Sequence, residues 1–105
     1  MLWFHPACRR EIARLPVEIR CDLADALARL DLGHRLSMPL SRPMPELATS
    51  AHELRLRSRE GEFRVMYAFL PKDEVAVLHA FKKKTRTTPV LSMEVARRRL
   101  RERRS

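Results

Sequence analysis

Seven basic side chains sit where strands would carry them to one place. Arg55 and Arg57 share a face of the alternating run Glu53-Leu54-Arg55-Leu56-Arg57. Arg64 interrupts an otherwise apolar run from Phe63 to Leu70, where a charge needs a reason. Lys82, Lys83 and Lys84 follow Phe81 directly, with Arg86 close behind. Neighbouring antiparallel strands would gather these groups across a sheet. Such a set suits chemistry at a phosphodiester. Cutting RNA without a metal requires a 2′-hydroxyl to lose its proton, a pentavalent phosphate to be stabilised and a 5′-oxygen to gain a proton. Arginine grips phosphate oxygens bidentately. A lysine crowded by other cations has a lowered pKa and becomes a usable acid or base. His79 and Tyr67 are further candidates for proton transfer.

Each of these residues also has a plain structural reading. Arg55 and Arg57 fit a solvated strand face, and Arg64 fits an ion pair with Glu53 or Glu62. Tyr67 and Phe69 read more simply as core, and His52 and His79 as structural histidines. Other chemistries find no support. The chain has no P-loop, no GxSxG, no HExxH and no dinucleotide fingerprint. His5, His34, His52 and His79 lack ligand spacing, and Glu53 is the only acidic residue placed for a site, so no metal or cofactor is expected.

The charge distribution points the same way. The net charge is +9, and residues 1–81 hold 12 basic against 11 acidic side chains. Residues 82–105 hold 10 basic against two acidic. So lopsided a field favours a polyanionic partner, a solvated tail being the alternative.

The positioning elements follow from periodicity and punctuation. Leu2-Trp3-Phe4 suits a short first strand, and Pro6 opens a helix over about residues 6–14. Ile19, Leu23, Ala26, Leu27 and Leu30 give a second, amphipathic helix over 17–32, stopped by Gly33. Pro39, Pro43 and Pro45 make residues 34–51 an irregular loop. Strands over 53–57, 63–70 and 75–81 are joined by turns at Ser58–Gly61 and Pro71-Lys72-Asp73, an antiparallel meander. Thr88 is expected to cap, and Pro89 to open, a final helix over 89–103, with Leu91, Val95, Ala96 and Leu100 as its apolar side. The expected architecture is one α+β domain over 1–105, in the order (β)ααβββα. Cys8 and Cys21 lie in helical segments without metal or disulfide patterning. No signal peptide or apolar span is visible, so a reduced, cytoplasmic protein is expected.

The ordered series Glu53-Leu54-Arg55, Phe63-Arg64, Ala80-Phe81-Lys82-Lys83-Lys84-Thr85, Thr88-Pro89 and Ala96-Arg97-Arg98-Arg99-Leu100 resembles the HigB-like branch of the RelE/ParE toxins across essentially the whole chain. The loop Met38–Pro45 also resembles that of phage-related toxins in this branch. The resemblance implies a microbial-ribonuclease-type fold, with a helical hairpin packed on a curved antiparallel sheet. It implies a toxin of a type II toxin–antitoxin system that acts as a ribosome-dependent mRNA endonuclease without metal. Its partners would be mRNA on the ribosome and a cognate helix-turn-helix antitoxin, operator DNA being reached only through the antitoxin. Position by position, Arg55, Arg64, Lys83, Lys84 and His79 form the expected catalytic set. Arg57, Lys82 and Arg86 are the expected substrate-binding residues. Arg64 matches the most dependable phosphate-binding position, so Arg64→Ala is expected to abolish activity and spare the fold. Phe63 stands where a tyrosine or tryptophan is usual, and the C-terminal tyrosine of some relatives has no counterpart. Two other readings are a ParE-type gyrase-inhibiting toxin and a non-catalytic nucleic-acid-binding module.

Overall fold

A computed structural model describes all 105 residues. The elements run β1 (Leu2–Phe4), α1 (Pro6–Ala13), α2 (Val17–Asp31), β2 (Ser41–Pro43), β3 (Ala51–Ser58), β4 (Gly61–Leu70), β5 (Glu74–Lys83) and α3 (Val90–Arg104). Pro6 opens α1, whose first turn is capped by His5 Nδ1 accepting from the Ala7 N–H at 3.1 Å. Gly33 ends α2 in the left-handed conformation (φ 93°). There the His34 N–H reaches Arg29 O and the Gly33 N–H reaches Leu30 O, both at 3.0 Å, which satisfies carbonyls the helix would leave bare.

The strands form one sheet in the order β1-β5-β4-β3-β2. β3, β4 and β5 make the expected meander, joined by Gly61 (φ 132°) in the first turn and by Lys72 and Asp73, both left-handed, in the second. Two features differ from the sequence reading. First, the proline-rich segment is not wholly irregular, because Ser41-Arg42-Pro43 pairs with His52–Leu54 as an edge strand. Pro43 is tolerated there because an edge strand need not donate on both sides. Second, the sheet is mixed, since β1 runs parallel to β5.

Alternation along the strands sorts the side chains onto two faces. Leu54, Leu56, Phe63, Val65 and Tyr67 face the α1–α2 hairpin and pack with Ile19, Leu23, Leu27 and Leu30. On the other face Met66, Ala68, Ala76 and Leu78 pack against Ala96 and Leu100 of α3, with Met44 and Leu47 from the β2–β3 connection. Each fully buried aliphatic side chain contributes about 1.5–3 kcal/mol of transfer free energy. The register of β4 against β5 shifts at Met66/Tyr67 and passes over Leu78, a bulge that aims Leu78 and His79 to the same side. In α3 the apolar side also differs from expectation. Leu91 is exposed, and Met93 packs in its place beside Ala96 and Leu100.

Candidate functional site

The register decides which cations meet. Arg55 stands opposite Arg64, Arg57 opposite Glu62, and Glu62 opposite Lys83. Cross-strand partners share a face, so all five side chains project from the α3 side of the sheet, near its open end. Lys84, Thr85 and Arg86 continue from β5 and complete a cleft of ≈ 500 Å³. Six cations line it against one carboxylate, Glu62. Arg64 and Arg57 hold that carboxylate, at 3.0 and 3.8 Å. The hydrogen bond from Arg64 drives the Glu62 carboxyl below its usual pKa, and the charges of Arg57 and Lys83 add to the shift.

Arg64 lies beneath this cleft. Its side chain is only 2% exposed. Nη1 donates to Phe63 O at 3.1 Å and Nη2 to Glu62, while Nε sits 3.6 Å from Oε1 of the buried Glu53. Both partners named for a structural ion pair are therefore engaged. Glu53 in turn accepts from the Thr88 hydroxyl at 3.0 Å. Thr88 thus serves as a clasp between the β5–α3 connection and β3, in place of the helix cap expected of it. Pro89 occupies the cap position, without a side-chain hydrogen bond.

The structure does not bring every expected residue to the cleft. Lys82 points to the opposite face, where its Nζ lies 6.0 Å from the Phe63 ring centroid. His79 is buried and committed elsewhere: its Nδ1 is 3.0 Å from Glu11 Oε1, and its ring stacks on Phe81 at 5.0 Å. Tyr67 is wholly buried and bonded to Ser41 Oγ at 2.7 Å, and burial pushes its phenol above the ordinary pKa.

Glu11 and Arg99 are important residues that the sequence did not single out. β1 ends at Phe4 and leaves the outer edge of β5 without a strand partner from Leu78 onward. Glu11 Oε1 accepts the Ala80 N–H at 3.1 Å, and Arg99 Nη1 donates to Leu78 O at 2.9 Å. Burial raises the Glu11 pKa, but hydrogen bonds from His79, Arg99 and the Ala80 amide outweigh it and bring the carboxyl down to about 2. Glu11 and Arg99 lie 88 residues apart, so no local pattern announces the pair. Arg103 is similarly committed to Glu74, and Arg97 to Glu46 O. Part of the C-terminal charge excess is therefore structural. The cations from Lys83 to Arg86 remain without acidic partners in hydrogen-bond contact.

Residues 10–101 match the family described as phage derived protein Gp49-like (DUF891). The chain belongs to the Gp49-like family. A double arginine-to-alanine variant of the E. coli toxin RelE, solved in the free state, superimposes on this Gp49-like protein with a TM-score of 0.72. The match covers 95% of this chain and 96% of the other, at 19% identity, and shows the RelE fold. Family and fold together bear out the resemblance to the RelE/ParE toxin superfamily. No curated protein shows a significant match. No helix is long and apolar enough to cross a membrane, and no group of three His, Cys, Asp or Glu side chains is placed to hold a metal ion.

Proposed function

We propose that this Gp49-like protein is the toxin of a two-gene toxin–antitoxin system. It acts in the cytoplasm and cuts messenger RNA on the ribosome. The observation that supports this reading is the convergence of Arg55, Arg57, Arg64, Lys83, Lys84 and Arg86 on one cleft with a single carboxylate. A scissile phosphate seated over Arg55, Lys83 and Arg86 would have its non-bridging oxygens neutralised as negative charge grows on them. Attack by the neighbouring 2′-oxygen forms the cyclic phosphate and releases the 5′-oxygen. Glu62, the carboxylate that lines this cleft, would accept the 2′-hydroxyl proton, and Lys83 or Lys84 would donate to the leaving oxygen. Arg64 supplies fixed charge from below and orients Glu62, without itself gripping substrate. Side chains alone carry every proton and charge in the step.

The partner that fits this surface is an antitoxin with an acidic segment, carried by a helix-turn-helix protein. Its complex weakens as salt screens the cleft. Mapping transcript 5′ ends on translating ribosomes after induction tests the activity. Cuts that vanish in an Arg55→Ala/Lys83→Ala variant are expected. Intact transcripts together with an induced DNA-damage response would overturn the nuclease in favour of a gyrase poison.

A further inference from the structure

One buried guanidinium stands between two carboxylates. Alternation along β4 puts Glu62, Arg64 and Met66 on the α3 face, and Glu53 of β3 stands opposite Met66. Glu53 is therefore a diagonal neighbour of Arg64, on the side away from Glu62. Arg64 Nη2 donates to Glu62 Oε1 at 3.0 Å, while Nε has no acceptor and lies 3.6 Å from Glu53 Oε1. The surroundings of the two acids differ. The Glu62 side chain is 46% exposed in the cationic cleft, whereas Glu53 is 1% exposed. Water screens the first and not the second.

A carboxylate out of water keeps its charge only where donors and cations meet it. Glu53 has two such neighbours, the Thr88 hydroxyl at 3.0 Å and the guanidinium of Arg64. One positive charge thus serves two acids, and the share that Glu53 takes is lost to Glu62. The other cations around Glu62 are Arg57 on β3 and Lys83 on β5, with Arg55, Lys84 and Arg86 also lining the cleft. The hydrogen bond from Arg64, foremost among these influences, holds the Glu62 carboxyl below its usual pKa. A carboxylate gripped harder still would be a poorer base.

We propose that Glu53 is a positioning residue: it shares Arg64 with Glu62 from within the sheet and so leaves Glu62 able to take a proton. The role rests on the reading of Glu62 as the proton acceptor. Thr88 sets the division from the other side. Its hydroxyl disperses part of the Glu53 charge, which would otherwise draw Arg64 inward. The connection that carries Lys84 and Arg86 to the cleft ends at Thr88, so its seating is linked to the strength of the base.

Two substitutions pull this balance in opposite directions. Glu53→Gln removes the competing charge, so Arg64 turns wholly to Glu62 and the Glu62 titration should move to lower pH. Thr88→Val leaves Glu53 with Arg64 alone, so Arg64 is drawn inward and the same titration should move to higher pH. The carboxyl carbon shift of Glu62, followed by NMR through a pH series on the full chain, reads both and needs no RNA. On translating ribosomes, Glu53→Gln should cut transcripts roughly three- to ten-fold more slowly, with KM unchanged and the acidic limb of the pH profile displaced as the titration is. Titrations that shift together, or stay at wild-type values in both variants, overturn the sharing of Arg64. Cutting by Glu53→Gln at the wild-type rate and pH profile, where Glu62→Gln is inactive, overturns the positioning role alone. Opposed titrations with wild-type cutting by Glu62→Gln overturn Glu62 as the base, and the positioning role with it, while the division of Arg64 stands.

Discussion

Arg99 of the last helix grips Glu11 of the first with both of its Nη atoms, at 2.8 and 3.0 Å. The same carboxylate takes His79 and the Ala80 amide, so one acidic side chain ties α1, β5 and α3 together. The arrangement is charge-assisted and partly desolvated, where loss of one partner strands the other.

The first prediction follows from the Glu11 carboxyl, held at about 2 against an ordinary 4.5. A depressed folded-state pKa stabilises the protein above the unfolded value, and the contribution disappears as pH falls through the folded one. Glu11→Gln should cost about 1–2 kcal/mol near neutrality, allowing for solvent screening of a partly exposed carboxylate. The gap from wild type should close between about pH 4.5 and 2. Urea unfolding at stepped pH reads this directly, and a gap that stays constant across that window would contradict it.

Arg64→Ala should destabilise the protein by about 3 kcal/mol, because it leaves Glu53 buried beside an uncompensated space. This revises the expectation from sequence that the substitution spares the fold. Thermal melting checks it. An unchanged Tm would mean that Glu53 finds another partner.

Thr88→Val should cost about 1 kcal/mol, removing one net hydrogen bond while leaving the Glu53 acceptor unsatisfied. Its more diagnostic effect is local. Amide exchange over residues 84–88 should accelerate in Thr88→Val and stay slow in Thr88→Ser, which keeps the hydroxyl. Equal exchange in the two variants would remove the clasp.

Arg55→Ala and Lys83→Ala should behave differently from Arg64→Ala. Both side chains are partly exposed and outside the core, so stability should change by no more than about 0.5 kcal/mol. RNA cleavage should fall by about a hundredfold for each, the usual effect of removing one preorganised donor. Cleavage at wild-type rate by the folded Arg55→Ala variant would take the chemistry away from this cleft.

Much of the frame is legible in the sequence. The periodicity of Ile19, Leu23 and Leu27 and the two tight turns place the hairpin and the meander within a few residues of where they lie. Arg55 and Arg64 meet as the strand pattern requires. The short strand Ser41–Pro43 stayed hidden because proline-rich segments carry no alternation. Lys82 and Lys83 look equivalent in a run of three, yet a two-residue period sends them to opposite faces. Arg99 was lost among five other arginines of α3, since only tertiary geometry singles out the one that turns inward. Thr88 fits a cap by local pattern, but the cap and the distant carboxylate compete for one hydroxyl, and the distant partner wins.

An unpaired strand margin is a template onto which another chain can add. In this molecule Glu11 and Arg99 hold the backbone of β5 beyond β1, and protonation of Glu11 weakens that hold. Acid near pH 2 should therefore favour self-association along β5, linking the protein's colloidal behaviour to a single proton.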